Sequence, residues 1–249
     1  MIAHLRSLIY TTIFFTTIEV IISLSFLGTQ KGLVLALLLV VFGVFAGWNV
    51  GKNAFFAFLP LSLTVSSLGL LYFIDNLREQ QIFGFLIALL FYMTLLSIKR
   101  IAKNPLDMTA RSLFSASVIA TVFLFYAVVY GLYINFSVPL WLFITGHFLF
   151  IAIITFVCLR AYSHDYRRIF LYSIVIAFAM IQLVWMANFW PFGYLTMAAI
   201  TLMFYYVLWD LAQMVFLEIL SKKRIIITII YCIVLTLAVL LTTQWLLVG

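Results

Sequence analysis

An apolar stretch of about twenty residues recurs along this chain, and a run of that length crosses the hydrocarbon core of a bilayer as one helix. Nine such runs are legible, at roughly 8–28, 32–50, 54–74, 82–98, 112–134, 139–159, 168–188, 193–216 and 225–247. They are continuous, which excludes a transmembrane β-barrel, whose strands read as roughly ten-residue segments of alternating polarity. The residues are 67% hydrophobic and 8% charged, with a mean hydropathy of +1.27, a balance that soluble globular domains do not have. The expected fold is all-α: a polytopic transmembrane helical bundle of about nine spans, with residues 1–249 forming a single integral membrane domain. The second and third runs are joined only by Gly51–Asn53. Read as one helix they would overrun any bilayer, so a turn is expected there.

The basic residues give the expected threading. Alternating spans put Arg6, Lys52, Lys99, Arg100, Lys103, Arg111, Arg160, Arg167, Arg168, Lys222, Lys223 and Arg224 on the side of the N-terminus. Only Lys31 and Arg78 of the 14 Lys and Arg fall on the other side. Cytoplasmic loops are enriched in Lys and Arg, so the N-terminus is expected in the cytoplasm and the C-terminus outside. The expected location is the plasma membrane, multi-pass, most simply a bacterial inner membrane. No cleavable signal peptide is expected, because the first run is too long for an h-region and no small-x-small site follows it. The net charge of +7 does not point to nucleic acid, since the cations sit at helix ends where threading needs them. The expected partners are the lipid bilayer and anionic lipid headgroups against the cytoplasmic loops.

Polar groups inside the spans are the candidates for a site, because burying them in a membrane is costly. Glu19 stands mid-way along the first run, about 16 Å from its start at 1.5 Å per residue. Thr12, Thr16, Glu19 and Ser23 follow at steps of four, three and four, so they share one helical face, which is expected to point at other helices. Gln182 lies about 21 Å along the seventh run, and His147 about 12 Å from the outer end of the sixth. These three share a layer near the midplane, where Glu19 is expected to be protonated, hydrogen-bonded, in a wet cavity or paired with His147. Asp210 is the second acid. Its expected place is interfacial, at the start of an amphipathic piece, DLAQMVFLEILSKKR, with Arg160 or Arg168 as partner; if the eighth span reaches Phe216, it lies about two turns inside the membrane instead. Glu218 beside Lys222 reads as a surface pair one helical turn apart. His164, Asp165, Arg167 and Arg168 cluster in a short loop, which fits headgroup contact better than catalysis.

Gly43, Gly47 and Gly51 form two overlapping GxxxG units in the second run. That spacing leaves a groove for a neighbouring helix, the third span first of all, and a homo-oligomer or membrane partner as the alternative. Pro60 is expected to kink the third span, with Ser62, Thr64, Ser66 and Ser67 available for the carbonyl it frees. Asn76, Asn135 and Asn188 each fall at an expected outer turn, as duplicated hairpins would place them. Trp141, Trp190 and Trp245 at outer ends, and Trp48 at an inner one, read as interface anchors.

No metal or cofactor is expected. Cys158 and Cys232 are too few for a zinc site, and the chain lacks HExxH, GxSxG and Walker A motifs. The leading functional expectation is a small transporter or permease-like protein, proton-linked through Glu19. The second is a structural or accessory membrane subunit whose polar layer only fixes helix packing. An enzyme acting on lipid at the cytoplasmic face, through His164 or Asp210, comes third, so the balance leans away from catalysis. A cavity at Glu19 favours the first, a dry midplane the second, and a lateral opening beside Asp210 the third.

Overall fold

The computed structural model describes residues 2–23, 30–104, 107–136, 138–163, 165–190 and 192–242. Among the described residues are nine helical segments long and apolar enough to cross a membrane. They are α1 (Ile2–Ser23), α2 (Gln30–Gly51), α3 (Phe58–Leu71, preceded by a 3-10 turn over Ala54–Ala57), α4 (Leu77–Lys103), α5 (Met108–Phe136), α6 (Leu140–Leu159), α7 (Tyr166–Ala187), α8 (Tyr194–Phe216) and α9 (Lys222–Thr242). Each overlaps one of the nine apolar runs, and the fold is that of an all-helical membrane protein. His164, Trp245 and the far ends of the first and last runs lie outside the described residues.

The helices α4 and α5 exceed their apolar runs in length by the most, with 27 and 29 residues. Charged residues end a hydropathy run but not a helix. The Asn76 side chain caps α4 by accepting from Arg78 N at 3.1 Å, and Glu79 sits in the first turn. Arg100 and Lys103 occupy the last turn, so the charges at both ends complement the helix dipole.

The chain divides into two compact units, Met1–Phe125 and Tyr126–Gly249, with the boundary inside α5. In the first, α1 runs antiparallel to α4. Phe14 stacks flat on Phe91 with centroids 4.1 Å apart, and Ile18 and Ile22 close on Gly84 one level further along. The turn between α2 and α3 is made by Lys52, whose φ of 52° is left-handed. Its N–H donates to Trp48 O at 2.7 Å, closing the end of α2. Asn53 then caps the 3-10 turn by accepting from Phe55 N at 3.2 Å. Gly51 touches Ile98, and Lys99 is within electrostatic reach of Arg6. The start of α1, the end of α2 and the end of α4 therefore share one basic end of this unit.

Pro60 occupies the first turn of α3, where its missing N–H costs little, and the span changes from 3-10 to α just before it. The expected rescue of a freed carbonyl by hydroxyls does not occur. Ser62 donates to Phe58 O and Thr64 to Pro60 O, both at 2.8 Å, and Ser67 to Thr64 O at 2.9 Å. A helical hydroxyl reaches back three or four residues and no further, so each serves its own turn.

In the second unit, α5 and α6 pair through aromatic rings. Tyr133 and Phe143 lie 4.5 Å apart, and Tyr126 stacks on His147 at 5.4 Å. Arg160 donates to Tyr166 OH at 2.6 Å, and Gln213 Nε2 to Tyr162 OH at 2.9 Å. These bonds gather the α6–α7 link and the end of α8, and Lys222–Arg224 follow only a short turn later.

That turn corrects two expectations. The helix α8 runs unbroken to Phe216, so Asp210 lies inside it and no separate amphipathic piece begins there. Glu218 adopts a left-handed φ of 57° between the helices, so it shares no helix with Lys222 and is not its partner one turn away. The three asparagines also differ in role. Asn76 caps α4, Asn135 donates to Gly131 O inside α5, and Asn188 follows α7 and donates to Tyr133 OH at 3.0 Å.

Candidate functional site

Glu19 is half-buried on α1, beside the α1–α4 crossing. Its Oε1 lies 3.9 Å from where a β-carbon at Gly84 would stand, while Ile18 Cγ2 and Ile22 Cδ1 lie 3.1 and 3.2 Å from that point. Gly84 lets α1 come this close. Among the described residues the Glu19 carboxyl makes no hydrogen bond or ion pair. The face expected to point inward does not. Thr12, Thr16 and Ser23 are exposed, and their hydroxyls donate to Leu8 O, Ile13 O and Val20 O within α1. A hydroxyl satisfied by its own helix can face lipid at little cost. The buried face is instead Phe14, Ile18, Ile21 and Ile22.

Glu19 belongs to the first unit and the other three candidates to the second, where each has its own surroundings. His147 is buried on α6 within a ring cluster, with Tyr126, Tyr130 and Phe143 centroids at 5.4, 5.6 and 4.4 Å. Its Nδ1 lies 2.8 Å from Phe143 O, one turn back, a geometry that favours the Nδ1–H tautomer. Gln182 is exposed near the far end of α7, about 8 Å before Ala187. Asp210 lies about 9 Å before the end of α8, so Gln182 and Asp210 stand at well-separated levels. The Asp210 carboxylate accepts from Thr228 Oγ1 at 3.0 Å, where arginine had been expected. Arg160 instead donates to Tyr166 OH and lies 4.7 Å over its ring.

Thr228 belongs to a stripe that sequence reasoning missed. Thr228, Cys232 and Thr236 recur every fourth residue of α9 and face α8. Cys232 Sγ donates to Met203 O at 3.7 Å, and Thr236 Oγ1 to Met203 Sδ at 3.5 Å. Thr228 and Cys232 are the buried residues of α9. The spacing of four was the available signal, hidden in a run where almost every residue is apolar.

A second missed group is the buried tyrosines. Tyr126, Tyr130, Tyr205 and Trp209 are each 0% exposed. Tyr130 OH lies 3.2 Å from Thr201 Oγ1, Tyr205 OH lies 3.3 Å from Thr155 Oγ1, and Tyr205 stacks on Trp209. Thr201, Tyr205 and Trp209 follow at steps of four, which puts them on the inner face of α8.

The glycines of α2 line its contact with the α3 span. A β-carbon at Gly43 would stand 2.8 Å from Thr64 Oγ1, one at Gly47 2.8 Å from Ala57 Cα, and one at Gly51 2.6 Å from Phe56 Cβ. The groove is filled from within the chain.

Among the described residues, two of the clefts open on the surface of the spans. One, of about 370 Å³, runs between α1 and α4 and is lined by Leu8, Thr12, Phe15, Phe85 and Tyr92; Glu19 does not line it. The other, of about 510 Å³, lies between α7, α8 and α9, and Gln182 lines it. Among the described residues no group of His, Cys, Asp and Glu could hold a metal ion.

One family model, described as a protein of unknown function (DUF5656), matches residues 47–244, which is most of the chain. The chain belongs to the DUF5656 family. The DUF5656 stretch takes in Gly47, Gly51, His147, Gln182 and Asp210, whereas Glu19 and Gly43 precede it. No curated protein and no solved structure matches the chain.

Proposed function

We propose that this protein is a small permease-like membrane protein whose solute movement is coupled to a proton carried by Glu19. The observation that carries the reading is the Glu19 carboxyl itself: inside the apolar stretch of α1, about 6 Å before Ser23, half-buried at the α1–α4 crossing, and engaged by no described side chain. A structural carboxyl in a span is normally held by a donor, as Thr228 holds Asp210. A carboxyl left without one is available to exchange a proton. The proposal includes the threading, with the N-terminus in the cytoplasm of a bacterial cell, the C-terminus outside, and anionic headgroups against the basic ends. What supports it is the gathering of Arg6, Lys52 and Lys99 at one end of the first unit, and of Arg160 and the α8–α9 turn at one end of the second.

A structural or accessory role is the second reading. The packing of His147, Tyr126, Tyr130 and Tyr205 favours it, because these residues are buried against one another and line neither cleft described above, and so does the α1–α4 cleft, which Glu19 does not line.

Glu19→Gln separates the two, since it keeps size and hydrogen bonding but removes the titrating proton. The protein is reconstituted into vesicles holding a pH-sensitive dye, and a pH gradient is imposed together with a mixture of amino acids, sugars and organic ions. The wild type is expected to dissipate the gradient faster than Glu19→Gln, with Glu19→Asp between them. Equal rates for wild type and a folded Glu19→Gln variant end the proton-carrier reading and leave the accessory one.

A further inference from the structure

The cleft between α7, α8 and α9 lies on membrane-spanning segments of all three helices, so whatever enters it comes from the bilayer. Its volume, about 510 Å³, is within the range of ligand sites. The walls include Leu183, Phe204, Leu208 and Ile233, and the mouth is open: Ile233 is 53% exposed. Two polar side chains line it. The Cys232 thiol is already engaged with Met203 O. The Gln182 amide is not: it makes no hydrogen bond to any described residue, although it stands inside a span where water is excluded.

An amide there needs a partner that the chain does not supply. The α7 helix is 22 residues long, about 33 Å, and the hydrocarbon core is about 30 Å thick. Centred on the core, the helix overhangs it by about 1.5 Å at each end, so Gln182, about 8 Å from the helix end, lies about 6 Å inside the core boundary, nearer to it than to the midplane. The ester linkages of a glycerolipid sit at that boundary, with acyl chains running inward from it. We propose that the α7–α8–α9 cleft is a lipid site: one acyl chain of an ester-linked glycerolipid fills the apolar cleft, and its ester carbonyl accepts from the Gln182 amide. The chain contributes the apolar match, and the carbonyl satisfies the one polar group the cleft leaves open. This site lies in the family-matched stretch and does not depend on Glu19.

The test uses the full chain in vesicles doped with a phosphatidylethanolamine that carries a diazirine on one acyl chain. After illumination, labelled peptides are mapped by mass spectrometry. Label on Leu183, Phe204 and Ile233 is compared with label on Leu37, Leu38 and Val41, an exposed apolar face of α2 that is an internal reference for bulk lipid. The wild type is expected to label the cleft above the reference. Gln182→Leu is expected to lower the excess roughly three- to tenfold, the worth of one hydrogen bond. Ala179→Trp, which puts an indole into the cleft, is expected to abolish it. Size-exclusion elution and circular dichroism check that each variant folds, and if Ala179→Trp does not, Gln182→Leu decides alone. Cleft labelling equal to the reference, or unchanged in Gln182→Leu, overturns the proposal. Cross-links joining two protein copies through the cleft residues overturn it too, in favour of a second copy as occupant.

Discussion

Replacing Gly47 by alanine tests the α2–α3 packing with one methyl group. The added carbon would stand 2.8 Å from Ala57 Cα, 3.0 Å from Pro60 Cγ and 3.1 Å from Phe56 O. Two of these atoms are backbone and the third belongs to a proline ring, so none can swing aside, and the helices must part. Overpacking of this kind costs about 1–3 kcal/mol. Alanine also recovers about 1 kcal/mol of helix propensity over glycine, which masks part of the loss. Gly146 removes that ambiguity, because it is helical and exposed and a β-carbon there meets nothing within 4 Å. Gly146→Ala carries the propensity gain without the clash. The difference in unfolding free energy between the two variants is then the overpacking cost alone, about 1–3 kcal/mol against Gly47→Ala. Gly43→Ala should fall between them, since its nearest neighbour is the Thr64 hydroxyl at 2.8 Å, which can rotate. Rotation would break the bond to Pro60 O, at about 0.5–1.5 kcal/mol. The assay is reversible unfolding by SDS in mixed micelles, followed by circular dichroism. If Gly47→Ala is as stable as Gly146→Ala, the two helices do not meet at Gly47 and the reasoning fails.

Thr228→Val keeps the side-chain shape and removes the donor to Asp210, so it should destabilise by about 1–3 kcal/mol in the same assay. Combining it with Asp210→Asn should cost less than the sum of the single changes, and strict additivity would mean the 3.0 Å bond contributes nothing. For the threading, Asn135→Cys should react with an impermeant maleimide added outside intact cells and Lys103→Cys should not. The native Cys158 and Cys232 are buried and give a low background, and the reverse pattern rejects the orientation.

The span count was legible because hydrophobic length is a one-dimensional property that survives without knowing any neighbour. Helix ends were less so: α4 and α5 continue past their charged residues, which hydropathy takes as a boundary and a capped helix does not. The inward face of α1 was misread for a related reason. Steps of four and three identify residues on one face, but not which face the bundle uses. Thr12, Thr16 and Ser23 bond to their own carbonyls and face outward, while the side packed on α4 is set by Phe14 meeting Phe91 and by the gap that Gly84 leaves. Gly84 carries no motif, and only its neighbours reveal its use. Tyr205, Trp209 and the Thr228–Cys232–Thr236 stripe had regular spacing, yet in a chain where 67% of residues are hydrophobic such spacing has little contrast.

What separates candidates from scaffold is how each polar side chain in a span meets the requirement that its hydrogen bonds be made inside the membrane. Serines and threonines such as Thr121 and Ser173 turn back to carbonyls of their own helix. Asn188, Thr201, Asp210 and Gln213 bond across helices and so hold the second unit together. His147 is tied to Phe143 O and enclosed by rings. Glu19 and Gln182 do neither. Each is long, polar and within a span, and the described part of the chain provides no partner for either. One carries a carboxyl that can gain and lose a proton, the other an amide that can only donate and accept hydrogen bonds. The first is therefore proposed for proton exchange and the second for recognition of a lipid ester, and because the two proposals share no residue, Glu19→Gln and Gln182→Leu should fail independently.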